Sequence, residues 1–152
     1  MNTSLQQQLQ SDLLTSMRGK DSSRLSTLRL VKASIQNAEI AKGEPLDHDE
    51  VLGILAREAK QRKESIAEFH KGDRTDLVKQ EEIELEIILE YMPEQMSRDD
   101  VIASAREVIL SVGAEGPSDI GKVMGRLMPL LRGKADGKQA SEVVAELLRS
   151  LH

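Results

Sequence analysis

The sequence predicts an all-α protein, with an N-terminal four-helix domain over residues 1–92 and a C-terminal three-helix bundle over residues 93–152. Three observations lead there. Among 152 residues there is one Phe, one Tyr and no Trp, so strand-forming residues are scarce and aliphatic, helix-favouring ones dominate. Apolar residues recur at spacings of three and four along most of the chain. Glycines, prolines and capping residues break that pattern where helices would start and stop.

The first helix is expected from about Ser4 to Arg18, with Leu5, Leu9, Leu13 and Met17 on one stripe and Gly19 as its stop. The second follows at once, capped by Asp21 or Ser22. It carries Leu25, Leu28, Val31, Ile35 and Ala38 and ends before Gly43. So short a connection implies an antiparallel pair. Asp47 and Glu50 are spaced as a capping box for the third helix, which runs to about His70 with Val51, Leu55, Ala59, Ile66 and Phe69 inward. Gly72-Asp73 stops it and restarts the chain. The fourth carries Leu77, Ile83, Ile87, Ile88 and Tyr91 and ends before Met92-Pro93, because a residue preceding proline is pushed out of the helical region.

Pro93 to Ser97 reads as a linker. Ser97 and Asp100 then open a fifth helix bearing Val101, Ile102, Ala105, Val108, Ile109 and Val112, which Gly113 ends. Ser118 is expected to cap the sixth, and Gly133 to Gly137 to separate it from a seventh bearing Ala140, Val143, Val144, Leu147, Leu148 and Leu151. A unit of about 60 residues is near the lower limit for folding without staples.

Composition excludes several functions. With no cysteine there is no disulfide, thiolate metal site or cysteine nucleophile. No apolar run approaches the roughly 18–20 residues of a membrane span, so no membrane partner is expected. The N-terminus lacks the pattern of a signal peptide, and a cytoplasmic protein is expected.

No catalytic constellation emerges, and no cofactor or metal is implied. Asp47-His48-Asp49-Glu50 can be drawn as a metal site, but a helix cap favoured by the helix dipole explains the same residues. His70 and His152 stand apart from it. The run Glu81-Glu82-Ile83-Glu84-Leu85-Glu86 reads as a solvated helix face. The Gly-Lys pairs at 121–122, 133–134 and 137–138 lack the Ser or Thr and the preceding strand of a phosphate loop.

The segment from Gly121 to Lys138 stands out. Lys122, Arg126, Arg132, Lys134 and Lys138 face one acid there, Asp136, a local charge of +4 in a chain of net charge −5. At about 100° per residue, Ile120, Val123, Met124, Leu127, Leu130 and Leu131 share one broad face, with Lys122, Arg126 and Pro129 nearly opposite. Gly121 and Gly125 lie on a flank between, each costing about 1 kcal/mol of helix stability relative to Ala. Either a second helix or a sugar–phosphate backbone comes close there. Pro129 predicts a kink or loosening near the helix end. Gly133 and Gly137 lie among Arg132, Lys134 and Lys138 ahead of a helix N-terminus, which suits a phosphate contact. With only Phe69 and Tyr91 available for stacking, a bound RNA would be folded and recognised by shape and phosphate position. A second basic set, including Arg24, Arg29, Lys32, Arg57, Lys60, Arg62 and Lys63, reads as structural, with Arg24 and Lys32 close to the apolar stripe of their helix, where they snorkel or pair with glutamates of the fourth helix.

Arg24-Leu25-Ser26-Thr27-Leu28-Arg29-Leu30-Val31-Lys32-Ala33, Lys60-Gln61-Arg62-Lys63-Glu64-Ser65, Tyr91-Met92-Pro93-Glu94-Gln95, Gly121-Lys122-Val123-Met124-Gly125 and Gly133-Lys134-Ala135-Asp136-Gly137-Lys138 together, in this order, resemble the YqeY family over essentially the full chain. That family is similar to the tail region of the B subunit of the glutamine-dependent tRNA amidotransferase. The resemblance implies a four-helix domain followed by a three-helix domain, and a tail that contacts the body of tRNA while the chemistry sits on other domains. Gly121, Val123, Met124 and the Gly133-Lys134-Ala135 turn match the tail pattern. Lys122 stands where the tail often has Gln, and Asp136-Gly137 where Asn-Pro is common. A carbon–nitrogen ligase label would attach through that association alone, since no catalytic site is visible in this chain.

The expected function is a non-catalytic adaptor that binds tRNA or tRNA-like RNA in connection with tRNA-dependent amidation, with amidotransferase subunits as candidate protein partners. The alternative is a protein–protein module that docks a partner helix without RNA contact.

Overall fold

The computed structural model describes residues 4–151, so His152 lies outside the described residues. Within them are seven α-helices, one short 3₁₀ turn and no strand. The chain divides into two compact units, Met1–Pro93 and Glu94–His152.

The first unit holds α1 (Leu5–Arg18), α2 (Ser22–Lys42), α3 (His48–Lys71) and α4 (Thr75–Leu89). Helix ends follow local chemistry. Ser4 and Gln7 form a reciprocal capping box, and Asp47 and Glu50 form another. Glu50 also accepts a hydrogen bond from Lys42 at 2.6 Å, so both acids of the Asp47-His48-Asp49-Glu50 run that face the helix start are engaged there. Asp21 accepts from the Arg24 amide, and Gly43 ends α2 at φ +82°, a left-handed conformation that costs glycine little. The start of α4 departs from expectation. Asp73 adopts a left-handed φ of +54° and Arg74 stands at the cap position without a side-chain capping bond.

The core of this unit is aliphatic, centred on Leu28, Val31, Ile35, Val51, Leu55, Ala59, Ile87 and Ile88. Met17 and Ile83 are exposed, and Ile66 and Phe69 are only partly buried. Angular position explains Ile83. At about 100° per residue it lies about 140° from Ile88, whereas Glu84 lies only about 40° from it. Glu84 is consequently buried, and the acidic run is not a uniformly solvated face.

Glu84 meets α3 in a buried polar cluster. Arg62 hydrogen-bonds the Glu58 carboxylate, and its second terminal nitrogen lies 3.9 Å from Glu84. Ser34 Oγ of α2 donates to Glu58 at 2.9 Å. Arg62 Nε is buried without a hydrogen-bond partner. Desolvation by burial, reinforced by the charge of Glu81, raises the Glu84 carboxyl above its ordinary range, with Arg62 opposing the rise.

A second polar set fixes the end of α4. Arg24 grips Glu90 through both terminal nitrogens, at 2.7 and 3.1 Å, and this holds the Glu90 carboxyl below the usual range. Tyr91 is buried and its hydroxyl donates to Asp12 of α1. Burial and that carboxylate push the phenol well above its usual range.

The second unit holds α5 (Arg98–Val112), a 3₁₀ turn (Pro117–Asp119), α6 (Ile120–Leu131) and α7 (Gly137–Arg149). Ser97 and Asp100 make a third capping box, and Gly113 ends α5 at φ +68°. Ser118 does not cap the sixth helix. The 3₁₀ turn carries the chain into α6 with Asp119 at the cap position and no side-chain cap bond. Instead, the Asp119 carboxylate accepts from the Glu115 amide at 2.8 Å, which ties the preceding loop. The core comprises Val101, Ala105, Val108, Ile109, Val123, Leu127, Leu131, Ala140, Val143, Val144 and Leu148, all apolar and none aromatic.

Candidate nucleic-acid interface

Helix α6 presents a sharply divided surface. Val123, Leu127 and Leu131 are fully buried. Gly121, Lys122, Gly125, Arg126, Pro129 and Leu130 are exposed. Leu130 is 57% exposed and so leaves the apolar face to which its spacing assigns it. The helix continues through Pro129 to Leu131, placing the proline inside its last turn.

No atom beyond the immediate neighbours and the helix's own backbone lies within 4 Å of where a Cβ would stand at Gly121 or Gly125. Intramolecular helix packing therefore does not account for these glycines, and the flank they form is open. Gly137 differs. A Cβ there would meet the Met128 methyl at 3.1 Å, so this glycine answers to packing between α6 and α7. This contrast yields a prediction. With open space at both positions, Gly121→Ala and Gly125→Ala should each stabilise the chain by about 0.5–1 kcal/mol through helix propensity. Thermal denaturation checks this, and a loss of stability would reveal a close neighbour at the flank.

The loop between α6 and α7 is held from within. Gly133 takes a left-handed φ of +75°. Gln95 Nε2 donates to the Gly133 carbonyl at 2.8 Å, and the Met96 amide donates to the Lys134 carbonyl at 2.9 Å. The amides of Lys134 and Ala135 both donate to the Leu131 carbonyl. The Asp136 side chain caps α7 by accepting from the Lys138 amide. The amides of Met96, Lys134, Ala135 and Lys138 already have acceptors, so at these positions a phosphate would meet lysine side chains instead of backbone N–H groups. Gln95 and Met96 are the residues that sequence reasoning did not assign to this site. Their hydrogen bonds leave no periodic signal.

Lys122, Arg126, Lys134 and Lys138 form no side-chain ion pair among the described residues, and all four are exposed. Arg132, also exposed, does have a partner. Elsewhere the cations Arg24, Lys42, Arg62, Lys71, Arg74 and Arg98 pair with carboxylates. Arg18, Lys20, Arg29, Lys32, Arg57, Lys63, Lys79, Arg106 and Arg149 also form no ion pair among the described residues, so α6 and its following loop are set apart by how closely their four unpaired cations follow one another, with Asp136 as the one acid among them. Among the described residues no helix is long and apolar enough to cross a membrane.

An all-helical protein with one cation-rich surface and aliphatic cores is the class these features define. The chain belongs to the YqeY family, whose model, described as Yqey-like protein, matches residues 6–148. It is similar to Altered inheritance of mitochondria protein 41, mitochondrial, of Pyrenophora tritici-repentis, at 32% identity over 92% of this chain and 78% of that one. The proteins of the same name from Eremothecium gossypii and Lachancea thermotolerans are 40% and 35% identical, over 55% and 72% of this chain and 46% and 60% of theirs. These relatives are named as mitochondrial proteins, which overturns the cytoplasmic expectation. That expectation rested on the lack of a signal-peptide pattern and an apolar span, neither of which reports on an organellar destination.

Proposed function

We propose that the chain is a non-catalytic adaptor that binds folded RNA of the tRNA kind, in connection with tRNA-dependent amidation by a glutamine-dependent amidotransferase. The observation that carries the reading is the set of four unpaired cations, Lys122, Arg126, Lys134 and Lys138, on a protein of net charge −5. Arg132 belongs to the same surface. The open flank at Gly121 and Gly125 lets a ribose–phosphate backbone approach the helix closely, while Gly133 and Gly137 shape the loop that carries the lysines. Tyr91 is buried, so base stacking contributes little and recognition rests on phosphate positions. The reading takes residues 1–92 and 93–152 as a four-helix and a three-helix domain, with the RNA surface on the second.

Tightness should follow counterion release. With about four phosphate contacts, affinity for tRNA falls roughly a hundredfold between about 50 and 200 mM salt. Replacing Lys122, Arg126 and Lys134 together by Ala should flatten that slope by two to three contacts, in proportion to about 0.9 per phosphate. Fluorescence anisotropy with labelled tRNA across a salt series is the measurement. Absence of binding at low salt, or a triple variant that binds as the wild type does, sinks the reading.

A second reading is favoured by one observation, the exposed Leu130 next to Pro129 and one turn beyond Arg126, which gives a partner helix an apolar contact. Recovery of amidotransferase subunits after nuclease treatment supports that protein–protein module. Glutaminase activity in the purified chain would overturn both readings.

A further inference from the structure

Part of the linker expected at Pro93 to Ser97 is built into the cation loop. Gln95 and Met96 each send one hydrogen bond to the loop between α6 and α7, and both bonds end on the peptide groups that flank Lys134. A peptide group is planar, so holding its N–H and its C=O holds the whole plane. The plane joining Gly133 to Lys134 is held at both ends. Its N–H donates to the Leu131 carbonyl at 2.8 Å, and its C=O accepts from Gln95 Nε2 at 2.8 Å. The plane joining Lys134 to Ala135 is held in the same way. Its N–H donates to the Leu131 carbonyl at 3.1 Å, and its C=O accepts from the Met96 amide at 2.9 Å.

Two pinned planes leave the φ and ψ of Lys134 little freedom. The direction in which its side chain leaves the backbone is therefore set, although the residue stands in a loop. Freedom would otherwise enter at Gly133, which takes a left-handed φ of +75° and has no Cβ to confine it. Three of the four pins come from the backbone of Leu131 and Met96, and only the Gly133 carbonyl is held by a side chain, that of Gln95. Lys134 itself is exposed and forms no side-chain ion pair among the described residues, so no internal salt bridge requires this aim. A cation whose backbone is fixed in advance gives up less freedom when it meets an anion.

We propose that Gln95 is a positioning residue for the cationic surface: by holding the Gly133 carbonyl it aims Lys134 at a phosphate of the bound RNA. The assignment rests on the RNA reading above and extends it to an uncharged residue outside the cationic segment, one that need not touch the RNA.

Gln95→Met keeps the length of the side chain and removes the donor. Gln95 is exposed, so the fold should persist, which circular dichroism verifies. In the free chain, amide hydrogen exchange at Lys134 should quicken several-fold while exchange at Ala105 in the core of α5 stays unchanged. Affinity for labelled tRNA at about 100 mM salt should fall roughly two- to tenfold. The substitution should bring no further loss once Lys134→Ala is in place, and its full loss in a Lys122→Ala background, because this bond aims Lys134 alone. A general loosening of the unit would weaken both backgrounds alike. Unaltered exchange at Lys134, undiminished tRNA affinity, or equal losses in the two backgrounds overturns the assignment and leaves the RNA reading standing. A wild-type chain that binds no tRNA overturns the reading and the assignment together.

Discussion

Leu127→Ala should unfold the Glu94–His152 unit near physiological temperature while the Met1–Pro93 unit stays folded. Leu127 is fully buried and packs in a core built only from aliphatic side chains. Truncating a buried Leu to Ala typically costs about 2–5 kcal/mol, the larger values applying where the surroundings cannot collapse into the cavity. Folded proteins hold roughly 0.05–0.15 kcal/mol per residue, or about 3–9 kcal/mol for a unit of this size. The loss is therefore comparable with the whole stability of the unit. The two cores share no residue, so the damage should stay local. Hydrogen exchange resolved by segment is the measurement: protection should collapse across α5, α6 and α7 and persist in α2 and α3. Leu130→Ala, three residues away but more than half exposed, should change stability by no more than about 0.5 kcal/mol. Equal effects of the two substitutions would mean that the buried face of α6 is misassigned.

Much of the helical order was legible because helix ends in this chain are written in local chemistry. Ser4, Asp47 and Ser97 each stand three residues before a side chain that returns the capping bond, a pattern that needs no tertiary information. Gly43 and Gly113 mark left-handed stops for the same reason. Legibility failed where tertiary contacts decide. Ser118 is a good cap residue in isolation, but the chain tightens into a 3₁₀ turn first and Asp119 is spent on the Glu115 amide. Glu84 sits in a run of acids that reads as solvated, yet the helical angle sets it on the stripe of Ile88. Arg62 on a different helix makes that burial tolerable. In the candidate interface, the cluster of cations was visible as composition. Which of them remain unpaired, and which glycines border open space, depends on side chains distant in sequence.

The cluster that the sequence concealed is where the second large effect is expected. Arg62→Leu should destabilise the Met1–Pro93 unit by about 3–5 kcal/mol near neutral pH, because it leaves the buried carboxylates of Glu58 and Glu84 without their cation. The cost should shrink as the pH falls. Burial already holds the Glu84 carboxyl above its ordinary range, and Arg62 is the charge that opposes this rise. Without the guanidinium the folded-state value climbs further. The folded chain then binds a proton at Glu84 more readily than the unfolded chain does, so stability is greatest below the ordinary carboxylate value of about 4.3 and is lost as the pH rises through the elevated folded value. Denaturant midpoints of wild type and variant at about pH 5 and about pH 7.5 should converge at the lower pH. Combining Arg62→Leu with Glu84→Gln removes one uncompensated charge and should recover part of the loss at neutral pH while reducing its pH dependence. If the difference between wild type and Arg62→Leu is the same at both pH values, the cost comes from lost packing by the arginine stem, and the cluster is not electrostatically coupled.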